Sequence, residues 1–512
     1  VNVLAVSVVA AIVAVTLGLT SFAARRNRST LDHYVAGARV SGWQNGLALA
    51  GDQLSAASFL GITGAVALGG FSGVYLSLGI PIAYLLVLLV IAEPLRNLGR
   101  FTLADAVAAR FDGRLLRGVI AIASLVLSIV YMVIQFVGAG VLAQLLLGVN
   151  FPVAVIVIGA LMTLYTFIGG MVGTTYIQVF KAILLIATVL VLFCVIMSRT
   201  GWNPVGAMAA AERAHGPGVV TPSHSSVVTG LNNVSLNLGV ALGIMGLPHV
   251  MVRFLTVRDA KAARGSAQLA MWIFAVFFIL LPIFGYAALN EVGRDQILRD
   301  NKAGNLAAAR LAEVVGGNLL FAIVVGVVMA TILAVLAGLS IASSGAVAHD
   351  LYNTVLHRGR ISQRRQLIVG KFAGLGISVL AILLALFLKT WNVAFLANVA
   401  FAIAASTTMP VLLLTIYWRG FNRVGATTGL IGGLVVSVGL VIIGPDVLGP
   451  NHLFPLSIPA LASVPAGFLC AWLGSIAGRN RPGAHGLPYD ELAARAFPRR
   501  RIAPAPEPEV VP

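Results

Sequence analysis

Thirteen runs of about 20 mostly apolar residues succeed one another along this chain, near 3–24, 43–69, 75–95, 118–147, 152–171, 176–198, 228–252, 268–289, 319–347, 368–388, 392–416, 426–444 and 457–477. That repetition constrains the fold more than any other feature. A helix of such length spans the hydrocarbon core of a bilayer, where every backbone polar group must be satisfied within the protein. Only 10% of the 512 residues are charged, against about a quarter in soluble chains. The sequence therefore predicts an all-α polytopic membrane protein with 13 transmembrane helices.

An odd number of spans puts the termini on opposite sides, and the basic residues select which. With the N-terminus outside, 27 of the 34 Lys and Arg fall on inner segments, among them Arg25, Arg26, Arg28, Arg39, Lys181 and Arg253. This is the asymmetry of the positive-inside rule, and it predicts N-terminus outside, C-terminus inside. The basic residues follow the first run instead of preceding it, so that run reads as a retained helix and not as a cleaved signal. Retention of cations on one face also accounts for the formal charge of +17, which removes the reason to invoke nucleic acid. No GxxxxGK[ST] run is present, so no nucleotide is expected as a partner. Cys194 and Cys470 both lie in apolar runs and offer neither a disulfide framework nor metal-ligand spacing. The expected organisation is a single transmembrane domain over 1–482 and a cytoplasmic tail over 483–512. The tail ends in APAPEPEVVP, too poor in apolar residues to fold. The expected location is the plasma (inner) membrane of a bacterium, with the lipid bilayer and a small carboxylate substrate as partners.

Ionisable residues at bilayer depth are functional candidates because each is costly there unless paired or watered. Asp52 is the one acidic residue well inside an apolar run, in LALAGDQLSAASFLGITG, with Gln53, Ser55 and Ser58 beside it. Gly51 is expected to interrupt that helix. A half-helix N-terminus offers N–H groups to an anion, and unwound carbonyls suit a small cation. Polar glue between helices is the alternative reading. A second expected break lies in SLNLGVALGIMGLPHVMVRF, where Gly239, Gly243 and Gly246 precede Pro248. It follows the first by five helices, as an inverted repeat of five plus five requires. His249 there reads as a structural hydrogen-bonder, and Gly425, Gly429 and Gly433 as plain helix packing. Lys181, in GTTYIQVFKAILL, either snorkels to the inner surface or is a buried amine facing a transport path.

Five segments in order, AGDQLSAASFLGI, AEPLRNLGRFTLADAVAARF, GGMVGTTYIQVFKAILL, GLPHVMVRFLTVRDAKAAR and ATILAVLAGLSIASSGAVAHDLY, resemble the sodium:solute symporters, most closely their bacterial cation/acetate branch. The resemblance implies a leucine-transporter-type fold, with core repeats over about 43–198 and 228–416 and solute at the two broken helices. It places a sodium site on the carbonyls of Gly51 and Leu54 and on Thr331, Ala334 and Val335 of the ninth span. Carboxylate solutes are implied at Ser55 and Ser58, with Gln53 beside them.

Two departures from the family pattern bear on the coupling ion. Ala334 and Val335 stand where relatives carry hydroxyls, and Gln178 and Lys181 stand where they often carry an acid and a glutamine. A fixed ammonium at Lys181 would thus replace the sodium ion, with Asp52 as its partner or as the proton carrier. The function expected is symport of a small monocarboxylate, first acetate, then propionate or pyruvate, with H+ in preference to Na+. The alternative keeps Na+ at Gly51, Leu54 and Thr331 with another solute such as proline, pantothenate or sugar. No cofactor, catalytic acid–base pair or metal cluster is expected, so an enzyme is excluded, and no appended domain suggests a sensor.

Overall fold

The computed structural model describes residues 3–24, 30–222, 226–481 and 486–498, without the side chains of 24, 30–31 and 163–170. Arg25, Arg26 and Arg28, used above to orient the chain, lie outside the described residues, as does the tail beyond 498. Among the described residues the one β feature is an isolated bridge between Val40 and Val257; every regular element is helical.

Among the described residues eleven helices are long and apolar enough to cross a membrane. In chain order the elements used below are α1 (Val3–Ala24), α2 (Gly42–Gln53), α3 (Ala57–Gly69), α4 (Phe71–Leu98), α5 (Arg114–Leu147), α6 (Phe151–Met162), α7 (Met171–Arg199), α8 (Val227–Gly243) and α9 (Pro248–Leu255). They continue with α10 (Ala260–Glu291), α11 (Ala307–Leu356), α12 (Gln363–Phe387), α13 (Val393–Tyr417), α14 (Arg423–Ile442), α15 (Ala460–Ala477) and α16 (Tyr489–Ala496).

Eleven is two fewer than the apolar runs predict, and each difference has a reason. The run at 43–69 is divided into α2 and α3, because Leu54 leaves helical geometry at ψ 77°. Neither half is long enough to span alone. At 152–171 the backbone belongs to one continuous helix, Phe151–Arg199, within which α6 and α7 are the stretches whose side chains are described.

The first break also falls elsewhere than expected. Gly51 lies inside α2, and the chain unwinds two to three residues later, after Gln53. The second break is where Pro248 puts it. Leu247 is extended at ψ 118° and Pro248 opens α9, since the residue before a proline is driven out of the α region.

Small residues decide which helices reach the centre. α11, about half Ala, Gly and Val, and α13, with six alanines and no glycine, are the most deeply buried of the long helices. Gly326 of α11 makes room for Val8 and Ile12 of α1. Gly425 and Gly429 of α14 lie against Ala471 of α15, and Gly433 against Ser406, which is the close packing their spacing suggested. The outer faces expose Leu89, Trp272, Ile279 and Phe387. A bilayer would cover such residues, and water would not.

Part of the tail is folded, which corrects the expectation for 483–512. Residues 489–496 form α16, an amphipathic helix that buries Leu492 and Ala496 against the rest of the chain. Asn97 at the end of α4 donates to Ala496 O at 2.9 Å, and Arg419 pairs with Asp490 at 2.5 Å. The low apolar content of the last residues says nothing about this short stretch, whose few apolar residues share one face.

Candidate functional site

The break after α2 creates a polar pocket. Leu54 ends the helix with its N–H on Ala50 O at 2.8 Å, and the Ser58 hydroxyl turns back into the gap. It accepts from the Ser55 N–H at 2.9 Å and reaches Ser55 O at 2.9 Å and Gln53 O at 3.1 Å. Gln53 Oε1 accepts from the Tyr131 hydroxyl at 3.2 Å, while Gln53 Nε2 is buried with no partner among the described residues. Gln53, Ser55, Ser58, Tyr131, Asn398 and Phe401 line a cavity of about 20 Å³ here. That is room for about one water, so the chain is closed around its polar pocket.

Asp52 of α2 forms an ionic cluster with α7 and α9. Asp52 is 3% exposed and Arg253 1%. Arg253 Nε donates to Asp52 Oδ2 at 2.5 Å and Arg253 Nη1 to Thr175 Oγ1 at 2.9 Å. Gln178 Nε2 donates to Asp52 Oδ1 at 2.5 Å and to Ala334 O at 3.1 Å. One turn further along α7, Lys181 is fully buried and donates to Thr331 O at 3.1 Å. The Thr331 hydroxyl itself is bound to Val327 O in its own helix at 2.8 Å. Gly51 permits this packing, since a Cβ there would sit 2.5 Å from Gln178 O. The matched partner and the further hydrogen bonds offset the cost of taking these charges out of water.

The two breaks are tied to each other. Val40 N–H donates to Thr256 O at 3.0 Å, and the Thr256 hydroxyl donates to Asn45 Oδ1 at 3.2 Å. Asp52 of α2 and Arg253 of α9 add the ionic link. The His249 ring packs against Tyr131 at 4.8 Å between centroids, tilted by 46°, and its Nε2 has no partner among the described residues.

The sites foreseen from sequence thus divide into groups. Gln53, Ser55 and Ser58 share the cavity. Gly51, Asp52, Gln178 and the Ala334 carbonyl share the ionic cluster, and Lys181 joins Thr331 beside it. Leu54 supplies the break, and Val335 contributes only apolar packing. Asp52 and Lys181 form no ion pair, because Arg253 and Gln178 take both carboxylate oxygens. Lys181 does not snorkel either; its nitrogen ends on a carbonyl inside the protein. Arg253 was missed as a site residue because it counted as one more inner-face cation. A lone acid at bilayer depth requires a partner, and Arg253, at the end of the second broken run, was the available one. Tyr131, Thr175 and Asn398 carry no such signal, as isolated polar residues in apolar helices are common.

Two interrupted helices meeting at a buried polar centre describe a transporter, and the comparison with known families decides which. The sodium:solute symporter family profile matches residues 33–433. The chain belongs to the sodium:solute symporter family. It is a secondary active, cation-coupled symporter and not an enzyme, in a family that is typically Na+-coupled. It is 44% identical over 481 residues to the uncharacterized symporter YwcA of Bacillus subtilis (strain 168), covering 92% of this chain and 94% of that one. Among solved structures it is similar to a Na+-coupled sialic acid symporter in a substrate-bound outward-open state, with a TM-score of 0.72 at 18% identity over 92% of this chain and 98% of that one. It is also similar to Mhp1, a nucleobase-cation-symport-1 family transporter in a closed conformation with bromovinylhydantoin bound, with a TM-score of 0.56 at 13% identity over 92% and 99% of the two chains. Those likenesses establish the leucine-transporter-type fold of this symporter.

Proposed function

We propose that this symporter takes up a small monocarboxylate, with acetate first and propionate or pyruvate as near alternatives, and that the coupling cation is H+ and not Na+. The observation that carries the second half is the Lys181 ammonium on Thr331 O, beside positions where the family resemblance places a sodium ion. A cation already fixed there opposes a second one, and Ala334 and Val335 bring no hydroxyl to it. Lysine can exchange its proton as its surroundings change from dry to wet. Asp52 is engaged by Arg253 and Gln178, which leaves Lys181 as the better candidate for the moving proton.

A carboxylate solute is supported by the pocket chemistry. Gln53 Nε2 is an unspent donor, and Ser55 adds a hydroxyl to the same cavity. Ala57, Ile80 and Phe401 give a short apolar wall for the tail. In this reading the split helix α2–α3 and the run containing α6 also cross the bilayer. That makes thirteen spans, with the N-terminus outside, the C-terminus inside, and the protein in the inner membrane of a bacterium. The core repeats run over about 43–198 and 228–416, and one helix bundle would rock against the other to alternate access.

Radiolabelled acetate uptake into proteoliposomes, with H+ and Na+ gradients imposed separately and empty liposomes subtracted, tests both halves. Accumulation driven by H+ alone supports the reading. Accumulation only with Na+ keeps the solute and overturns the coupling. If neither gradient drives acetate, the Na+-coupled alternatives (proline, pantothenate or a sugar) become the next solutes to assay.

A further inference from the structure

A second, larger cavity lies on the side of the molecule that carries Arg39. It measures about 380 Å³ and runs between the start of α2 and the start of α7, lined by Arg39, Trp43, Gln44, Thr175, Tyr176 and Val179. Thr175 is the most buried polar residue in that lining. Its hydroxyl accepts from Arg253, Arg253 holds Asp52, and Asp52 adjoins Gln53, which lines the pocket at the break. Three residues in a row therefore separate the crevice from the polar pocket.

The bonds in this partition are of two kinds. Asp52 with Arg253 and Asn45 with Thr256 join α2 to α9 and the residue after it, and Val40, two residues before α2, bonds to the same Thr256. These contacts hold the two broken helices together as one unit. The bonds from Arg253 to Thr175 and from Gln178 to Asp52 instead join that unit to α7. Thr175 and Gln178 are three apart, so they face the unit from one side of α7.

We propose that Arg253 is the inner gate of the solute path and that the crevice between α2 and α7 is the way out. Opening separates the α2–α9 unit from α7, breaking the bonds to Thr175 and Gln178 while Asp52 and Arg253 stay paired. An ion pair suits such a position for a physical reason. When the path is closed and dry the two charges satisfy each other, and when it is open both are hydrated. An apolar plug would be stable in the closed state alone, since opening it exposes apolar surface to water. Arg253 touches no solute in this arrangement and acts as a positioning residue. The inference needs the transport function but neither the identity of the solute nor that of the cation.

Thiol accessibility tests it in the full-length protein with Cys194→Ser and Cys470→Ser as background. A membrane-impermeant cationic methanethiosulfonate is applied from one side of oriented vesicles. Val179→Cys, in the crevice, is expected to react from the inner side and not from the outer. Ser55→Cys, in the pocket, is expected to react slowly from the inner side, and about tenfold faster when Thr175→Val removes one hydrogen bond to the guanidinium. Arg253→Met should do the same, and Arg253→Lys should restore part of the protection. Thr175→Val leaves the ion pair intact, so it remains a test even where Arg253→Met fails to fold. Inner-side inertness of Val179→Cys would overturn the exit route. Unchanged labelling of Ser55→Cys in properly folded Thr175→Val and Arg253→Lys proteins would overturn the gate.

Discussion

The Lys181 ammonium nitrogen lies 3.1 Å from the carbonyl oxygen of Thr331, across the interface of α7 and α11. An amine at this depth, fully buried and bound to a backbone carbonyl, is held by the packing of two helices and not by a counter-charge of its own. Lys181→Met keeps the length of the side chain and removes the proton. Proton-driven accumulation of acetate is expected to fall to the level of empty liposomes, while the protein stays monodisperse in detergent. Proton-driven uptake at the wild-type rate would end the role given to Lys181.

Asp52 and Arg253 are expected to behave as a pair. Asp52→Ala leaves a buried guanidinium without its partner, a loss of about 3–5 kcal/mol. Asp52→Ala combined with Arg253→Met is expected to be more stable than Asp52→Ala alone, because no orphaned charge remains. Thermal unfolding of the four proteins of this cycle gives the coupling directly. Additive losses would show that the two side chains do not depend on each other.

Gly51 and Gly338 both approach the ionic cluster, with opposite expectations. A Cβ on Gly51 would meet Gln178 O at 2.5 Å, whereas one on Gly338 would lie 3.7 Å from Asp52 Oδ1. Gly51→Ala is expected to cost about 1–3 kcal/mol through overpacking and to abolish transport. Gly338→Ala is expected to be tolerated. Thermal stability and uptake of the two variants, compared side by side, check the contrast.

His33, on the short helix Thr30–Val35 outside the membrane spans, gives a pH prediction. Burial, helped by the charge of Lys371, lowers its pKa from 6.5 to about 4. Between those values the unfolded chain binds the proton and the folded one does not. Stability is therefore expected to fall as pH drops from about 6.5 to about 4, by about 3 kcal/mol at most. His33→Gln should flatten that part of the profile in a thermal-shift series across pH.

Arg110 closes the C-terminal end of α13. Its guanidinium donates to the carbonyls of Thr415, Trp418, Arg419 and Phe421 at 2.8–3.1 Å and lies over the Tyr489 ring. Burial lowers its pKa to about 10, which leaves it charged at neutral pH. Lysine cannot reach four acceptors with a planar fork. Arg110→Lys is expected to destabilise the protein by about 1.5–3 kcal/mol and to release α16 to protease. Equal protease resistance in the two proteins would remove this anchoring role.

Much of this protein was legible in one dimension. Apolar runs of bilayer length and the near absence of charge oblige a chain to form membrane helices, whatever their neighbours. Pro248 forces its break locally, and five ordered segments placed the chain among the sodium:solute symporters. Asp52, Gln53 and Ser55 stood out because polar groups at that depth are costly. These are properties of single residues or short windows, and a sequence carries them unaided.

What folding alone decided is which polar groups meet. Asp52 and Arg253 are 201 positions apart, and Lys181 and Thr331 150. No periodicity encodes such distances. Asp52 could have met Lys181, as expected, but Gly51 packs α2 against the Gln178 backbone and Arg253 arrives from α9. Likewise Gly51 looked like a helix break from its type, yet its lack of a side chain serves close approach, and Leu54 is where the helix unwinds. The sequence determined that there would be buried charges and broken helices. Their partners were set by three-dimensional packing, because pairing energy in a dry interior depends on ångström distances between helices that are remote in the chain.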